Sequence, residues 1–250
     1  MQRYFVTPEA IQGDRVTITG DDVKHIVRVL RMEAGDEVIV CDGTGRAFHT
    51  ELTELGDGAV TARIVEELSA QPESPVKITL AQGLPKGDKM DLIIQKGTET
   101  GITRFLPLSM SRCIVQYDDK KEQKRRERWQ KIAKEAAEQS HRNIVPDVAS
   151  GMTFKQLMNG LERFDLVLVP YEMEKARGLR DVLEEHPEAR QVCVVIGPEG
   201  GIAEEEIEMA LRAGAVPVTL GPRILRTETA GLFVAACVAY HTGEMGGVKQ

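Results

Sequence analysis

Glu199 sits in a glycine-rich turn, Gly197-Pro198-Glu199-Gly200-Gly201, which ends an apolar run and opens an acid-rich helical pattern. A glycine loop between a strand and a helix ordinarily offers backbone N–H groups and a positive helix end to a phosphate, usually with a lysine nearby. This turn carries no Lys or Arg, and Glu204, Glu205 and Glu206 already occupy the favourable end of the dipole. Such a loop repels phosphate. It tolerates an adenosine-like ligand with little negative charge and attracts one with a cationic centre. Taken alone, the motif is equally a tight turn followed by ordinary first-turn acids.

A second loop adds weight. "LGPRILRTETAG", Leu220 to Gly231, also follows a strand pattern, also begins Gly-Pro, and leads into an apolar helix. Thr227 is the expected N-cap of that helix, with Glu228 in its first turn. A third strand pattern ends in "VPYE", bringing Tyr171 and Glu172 to the same rim. Ligands of α/β sheets bind beyond the carboxyl ends of the strands, so the three loops together predict one pocket. The histidines His25, His49, His141, His186 and His241 have no ligand spacing, and Cys41, Cys113, Cys193 and Cys237 form no C-x-x-C. No metal site is expected, and the cysteines read as small buried hydrophobes.

The elements that position these loops fall into two groups. Up to about Leu68 the chain consists mostly of short β patterns, "RYFVT", "RVTIT", "DEVIVCD", "RAFHTELTEL" and "AVTARIVEEL". One helix, "DDVKHIVRVLRM", interrupts them, with an aspartate cap and Val23, Ile26, Val27 and Leu30 on one face. This predicts a small β-barrel over residues 1–70. After a polar, proline-bearing linker, "SAQPESP", strands alternate with helices over residues 71–250. Continuous apolar strands such as "QVCVVIG" belong in a parallel sheet covered on both faces. The last helix, "TAGLFVAACVAYHTG", is apolar nearly all round and is expected to lie against a second subunit.

The 250 residues have 42% hydrophobic content and a net charge of −7. No apolar run reaches the roughly 18 residues needed to span a bilayer. "MQRYFVTPEA" lacks the layout of a secretory signal, so a cytoplasmic protein with no membrane partner is expected. The net charge disfavours nucleic acid, but binding follows local potential. From Lys120 to Arg142 nine basic residues face four acidic ones, a surplus of five. In the first domain Lys24, Arg28 and Arg31 repeat at i, i+4, i+7 with His25 alongside; this is either a phosphate-contacting stripe or a plain solvent face. Lys86 and Lys89 stand at a helix start, where cations are disfavoured, which points to function rather than structure.

"IGPEGGIAEEEIE" followed by "LGPRILRTETA" closely resembles the signature of the RsmE-type ribosomal RNA methyltransferases of the SPOUT superfamily. "HIVRVLRMEAGDEV", "LPKGDKMDLIIQKGTETG" and "RWQKIAKEAAEQSHRNIVP" extend the resemblance over nearly the whole chain. It implies a PUA-like barrel that binds RNA, then an α/β domain with a deep C-terminal trefoil knot, paired as a homodimer through the last helix. It also implies S-adenosylmethionine as cofactor and N3 of a uridine in the decoding region of small-subunit 16S ribosomal RNA as target. On that basis Gly197, Glu199, Gly200, Gly201, Leu220, Gly221, Ile224, Leu225, Thr229 and Ala230 are assigned to the cofactor, with Tyr171 and Glu172 at the rim. The target imide N–H must lose its proton, so Arg226 is expected to stabilise the uracil anion and Glu228 to accept the proton. The family's E-x-x-x-Q-x-x-R stripe, here Glu135, Gln139 and Arg142, places Gln139 and Arg142 near RNA or the pocket. Arg3, Lys24, His25, Arg28, Arg31, Lys86 and Lys89 complete the expected RNA contacts. Two alternatives stay open: a SPOUT enzyme acting on a ribose hydroxyl or a tRNA base, and a non-catalytic RNA-binding assembly factor.

Overall fold

Alternate residues of the N-terminal strands point into one apolar core: Val16 and Ile18, Val38 and Val40, Val60 and Ala62 are all essentially inaccessible to solvent. That period-2 burial is what a half-covered sheet requires. In the computed structural model, which describes residues 1–69, 73–115 and 119–244, the strands are β1 (Arg3–Phe5), β2 (Ile11–Gln12), β3 (Arg15–Thr19), β4 (Glu37–Cys41), β5 (Ala47–Leu55) and β6 (Ala59–Leu68). They pair in the order β1-β4-β5-β6-β3-β2, antiparallel except for β1 with β4. The β4–β5 hairpin is closed by Asp42, whose Oδ1 accepts from the Thr44 N–H and hydroxyl, each at 2.8 Å, while Gly43 and Gly45 take positive φ. Residues 70–72 of the expected linker lie outside the described ones.

The helix expected in this region departs from expectation at both ends. Its N-cap is Gly20, not an aspartate, and Asp21 and Asp22 lie inside the first turn of α1 (Asp21–Lys24). From His25 to Leu30 the backbone widens into a π-helix that ends at Arg31 with φ 53°. A π-turn spreads residues over a larger angle than 3.6 per turn allows. Val23 and Ile26 stay buried, whereas Leu30 is turned out to 37% exposure.

The described residues divide into two compact units, Met1–Glu73 with Lys134–Val145, and Ser74–Ala133 with the chain from Pro146 onward. The linear division at residue 70 did not foresee the second segment of the first unit. Within that unit Arg142 and Glu73 form a nearly inaccessible ion pair, and Glu73 Oε1 also accepts the N–H groups of Asn143 and Ile144 at 3.0 and 3.2 Å. Lys134 binds Asp22 and Glu138.

The second unit contains β7 (Lys77–Gly83), α2 (Lys89–Glu99), β8 (Arg104–Ser109), α3 (Asp119–Gln139) as far as Ala133, β9 (Asp147–Val148), β10 (Met152–Thr153) and α4 (Phe154–Met158). It continues with β11 (Leu166–Pro170), α5 (Leu179–Glu185), β12 (Gln191–Ile196), α6 (Glu204–Arg212), β13 (Val216–Val218) and α7 (Thr227–His241). The sheet runs β10-β8-β7-β12-β11-β13, with β9 also on β8, and every pairing is parallel. Val192 through Ile196 are buried without a break, as a sheet covered on both faces demands. α7 lies close enough over β7 that a Cβ on Gly231 would meet a Leu80 methyl at 2.8 Å. From Ala230 to Tyr240 both its buried positions, such as Val234 and Val238, and its exposed ones, Phe233, Ala236 and Tyr240, are apolar or aromatic. Among the described residues no helix is long and apolar enough to cross a membrane.

Candidate active site

All strands of the second sheet point the same way, so the loops after β7, β11, β12 and β13 emerge at one edge. β7 and β12 are neighbours there although β11 precedes β12 in the chain, which makes this the crossover region where such sheets bind ligands. The loops enclose a cleft of about 920 Å³, at the upper end of the range for small-molecule sites. Of the residues assigned to a ligand from sequence, Tyr171, Glu172, Gly197, Glu199, Gly200, Gly201, Leu220, Gly221, Ile224, Leu225 and Ala230 line it. Arg226 and Glu228 line it too, and so does Lys89. Thr229 does not: it is exposed on the first turn of α7.

The glycines of the Gly197–Gly201 turn are needed for space. A Cβ on Gly197 would sit 2.8 Å from Ile202 Cγ1, one on Gly200 would sit 3.0 Å from Arg112 Cβ, and Gly201 holds φ 73°. Thr227 fastens this turn from the other loop. It is the first residue of α7 rather than its cap, and Arg226 holds the N-cap position without a side-chain bond. The hydroxyl instead donates to the Gly197 carbonyl at 2.7 Å and accepts from Gln82 Nε2 at 2.8 Å. One buried hydroxyl therefore ties the ends of β7 and β12 to the start of α7.

The acids behave differently from a bare negative lining. Glu206 is buried and spent structurally, taking the Ser111 N–H and hydroxyl on Oε1 and the Ala203 N–H on Oε2. Glu199 accepts from the Lys86 N–H at 3.1 Å and from Lys89 Nζ at 2.9 Å. Although burial opposes ionisation, these bonds hold its carboxyl below the usual carboxylate range. Lys89 also reaches Glu228 Oε2 at 3.2 Å, and its hydrogen bond to Glu199, with this second carboxylate beside it, raises its pKa. The whole lining holds four carboxylates (Glu172, Glu174, Glu199, Glu228) and four cations (Lys89, Lys175, Arg223, Arg226). The expectation of a one-sign, acid-lined bend is therefore corrected. Depth separates the charges: the side chains of Glu228, Glu199 and Lys89 are 15, 29 and 32% exposed, whereas that of Arg226 is 82% exposed. Charges out in solvent are screened, and the half-buried Glu174 is turned onto the Ala176 and Arg177 N–H groups, which leaves the trio, with net charge −1, as the main source of the field inside.

Several expected RNA contacts are elsewhere. Arg142 is buried on Glu73, because α3 ends at Gln139 and His141 takes φ 61°, which breaks the i, i+4, i+7 stripe after the exposed Gln139. Arg3 is likewise committed inside the first unit, donating to Asn143 Oδ1 and, at 3.3 Å, to the Arg142 carbonyl. His25 is half-buried with Nδ1 against the Tyr4 hydroxyl at 3.1 Å. Lys24, Arg28 and Arg31 are exposed, paired only loosely with Asp21 (3.4 Å) and Asp57 (3.7 Å) where a partner exists. Lys86 is exposed and meets Glu199 through its backbone N–H.

Sequence reasoning missed Arg112, whose Nη1 donates to the Gly200 carbonyl at 3.0 Å, and Gln82. Neither belongs to a recognisable spacing, since each acts on a loop more than eighty residues away. Burial pushes the Cys41 and Cys193 thiols up to about 11 and about 12, consistent with inert core residues. Among the described residues no group of three or more His, Cys, Asp or Glu could hold a metal.

Comparison with known proteins agrees with this geometry. An RNA methyltransferase domain matches residues 72–239 and an RNA methyltransferase PUA domain matches residues 18–65. The chain is 43% identical over 249 residues to the ribosomal RNA small subunit methyltransferase E of Bacillus subtilis, covering 97% of each. It is 39% identical to that of Synechocystis, covering 91% of this chain and 74% of the relative. A crystal structure of the Neisseria gonorrhoeae enzyme of the same name, bound to S-adenosyl methionine, superposes with a TM-score of 0.86 at 35% identity, covering 96% of this chain and 97% of that one. This chain belongs to the ribosomal RNA small subunit methyltransferase E family.

Proposed function

We propose that the protein methylates N3 of a uridine in the decoding region of small-subunit 16S ribosomal RNA, using S-adenosylmethionine. The observation that carries this reading is the cleft between the two Gly-Pro loops. It is walled by backbone at Gly197, Gly200 and Gly201, by apolar side chains at Ile196, Ile202 and Leu225, and by an inner trio of net negative charge. Those features fit an adenosine body with a cationic sulfur: shape and backbone bonding without a cationic clamp. When bound, the cofactor supplies an electrophilic methyl group.

The chain's own residues do the rest. Gly197, Gly200, Gly201, Leu220, Gly221, Ile224, Leu225 and Ala230 hold the cofactor, and Tyr171 and Glu172 close the rim. An imide nitrogen is a poor nucleophile until its proton leaves. Glu228, 15% exposed at the start of α7, accepts that proton. Arg226, projecting into solvent at the mouth, meets the incoming RNA and stabilises the uracil anion. Lys24, Arg28 and Arg31, on the PUA-like domain of residues 1–70, contact RNA phosphates. The Arg28→Glu, Arg31→Glu double variant should bind RNA at least tenfold more weakly at 0.1 M salt, with unchanged S-adenosylmethionine affinity; equal RNA binding would remove that stripe from the interface.

The second unit forms a SPOUT domain with a C-terminal trefoil knot. The return of α7 from the edge strand β13 to pack on β7 supports this. The protein works in the cytoplasm as a homodimer through the outward face of α7. That face includes Phe233 and Tyr240, at 38 and 71% exposure, whereas Val234 is wholly buried in its own chain. Phe233→Asp should therefore halve the mass seen by light scattering while the fold survives, and an unaltered mass would contradict this interface. The decisive experiment is mass spectrometry of ribosomal RNA from a strain lacking the gene. One N3-methyluridine should disappear from the small-subunit RNA. Loss of a ribose methyl or of a tRNA base mark would replace the target, and an unchanged profile would leave a non-catalytic RNA-binding role.

A further inference from the structure

We infer that Lys89, Glu199 and Glu228 act as a charge filter, favouring the sulfonium donor over its thioether product and so loosening the cofactor once it is spent. This rests on the cofactor reading above. The trio is the sheltered part of the cleft's charge, and its geometry is lopsided. Lys89 Nζ approaches Glu199 Oε1 at 2.9 Å with hydrogen-bond alignment. Its approach to Glu228 Oε2 at 3.2 Å is an ion pair without that alignment, and this buried oxygen has no hydrogen-bond partner among the described residues. The surplus negative charge accordingly resides on Glu228, on the wall of the cleft.

Donor and product differ by one methyl group and one positive charge. Transfer breaks the sulfur–methyl bond, leaves its electron pair on sulfur and neutralises that atom; the new bond uses the pair of the deprotonated uracil nitrogen. A unit charge about 10 Å away, at an effective dielectric constant of about 35–40, changes binding by about four- to fivefold. Of the remaining lining charges, Glu172, Lys175, Arg223 and Arg226 are exposed and screened, and the half-buried Glu174 is turned onto the Ala176 and Arg177 N–H groups.

The test is calorimetry on the full-length protein with S-adenosylmethionine and with S-adenosylhomocysteine. The wild type should prefer the donor by about fivefold. Lys89→Met takes the trio from −1 to −2 and should widen the preference by a similar factor. Glu228→Gln takes it to zero and should bring the ratio toward one, and Glu199→Gln repeats that change from the other side of Lys89. A purely structural role would weaken both ligands together and leave the ratio alone. A ratio that does not move, or that moves in the same direction for Lys89→Met and Glu228→Gln, overturns the charge filter. A wild type that binds neither ligand overturns the cofactor reading itself.

Discussion

Arg142→Met should lower the free energy of unfolding by about 3–5 kcal/mol, the usual cost of leaving one member of a buried ion pair alone. Arg142 and Glu73 are 6 and 7% exposed at their side chains, and the guanidinium reaches the carboxylate through both Nε and Nη2. Without Arg142, Glu73 keeps its two backbone N–H donors from Asn143 and Ile144 but holds an unbalanced charge away from water. Chemical denaturation would read the loss directly. The double variant Glu73→Gln, Arg142→Met should recover more than half of it, because no buried charge then remains. A loss below about 1 kcal/mol would mean the pair is hydrated and exposed in solution.

Gly200→Val should weaken S-adenosylmethionine binding by about a hundredfold or more while thermal unfolding stays cooperative. The φ of Gly200 lies outside the left-handed region, so the obstacle is steric. A Cβ there meets Arg112 Cβ at 3.0 Å and the Arg112 carbonyl at 3.4 Å, and the valine methyls extend further. Arg112 must then leave the Gly200 carbonyl, and the loop that walls the cleft moves. A misplacement of about 1 Å can cost a hundredfold in the rate of a positioned site, and a cleft wall moved that far is expected to cost binding on the same order. Gly200→Ala, needing only a few tenths of an ångström from its neighbour, should retain most of the affinity. Equal binding by the valine variant would take this turn out of the site.

Much of the architecture was legible because burial writes a period into the chain. Val16, Ile18, Val38 and Val40 alternate as a one-sided sheet does, and Val192 to Ile196 run unbroken as a two-sided one does. The cleft was legible from two repeated Gly-Pro loops at strand ends, and most of their residues do line it. What escaped notice was chemistry made across the fold. Glu199 reads as a naked acid in its own loop, yet its partner Lys89 is 110 positions away. Thr227 fits a capping pattern locally, yet its hydroxyl is claimed by Gly197 and Gln82. Arg142 fits a helical stripe only if the helix continues, and it stops three residues earlier. Local pattern predicts where a side chain starts; only tertiary packing decides what it meets.

The segment Lys134–Val145 packs with Met1–Glu73 although sixty residues of the other unit intervene. A fragment cut at residue 70 would thus be missing Glu73, Arg142 and the chain around them, and should be a poor autonomous module. Grafting the N-terminal unit onto another catalytic body would require transplanting two pieces, not one cassette. The same interleaving means the halves of this chain are expected to have diversified together rather than been shuffled independently.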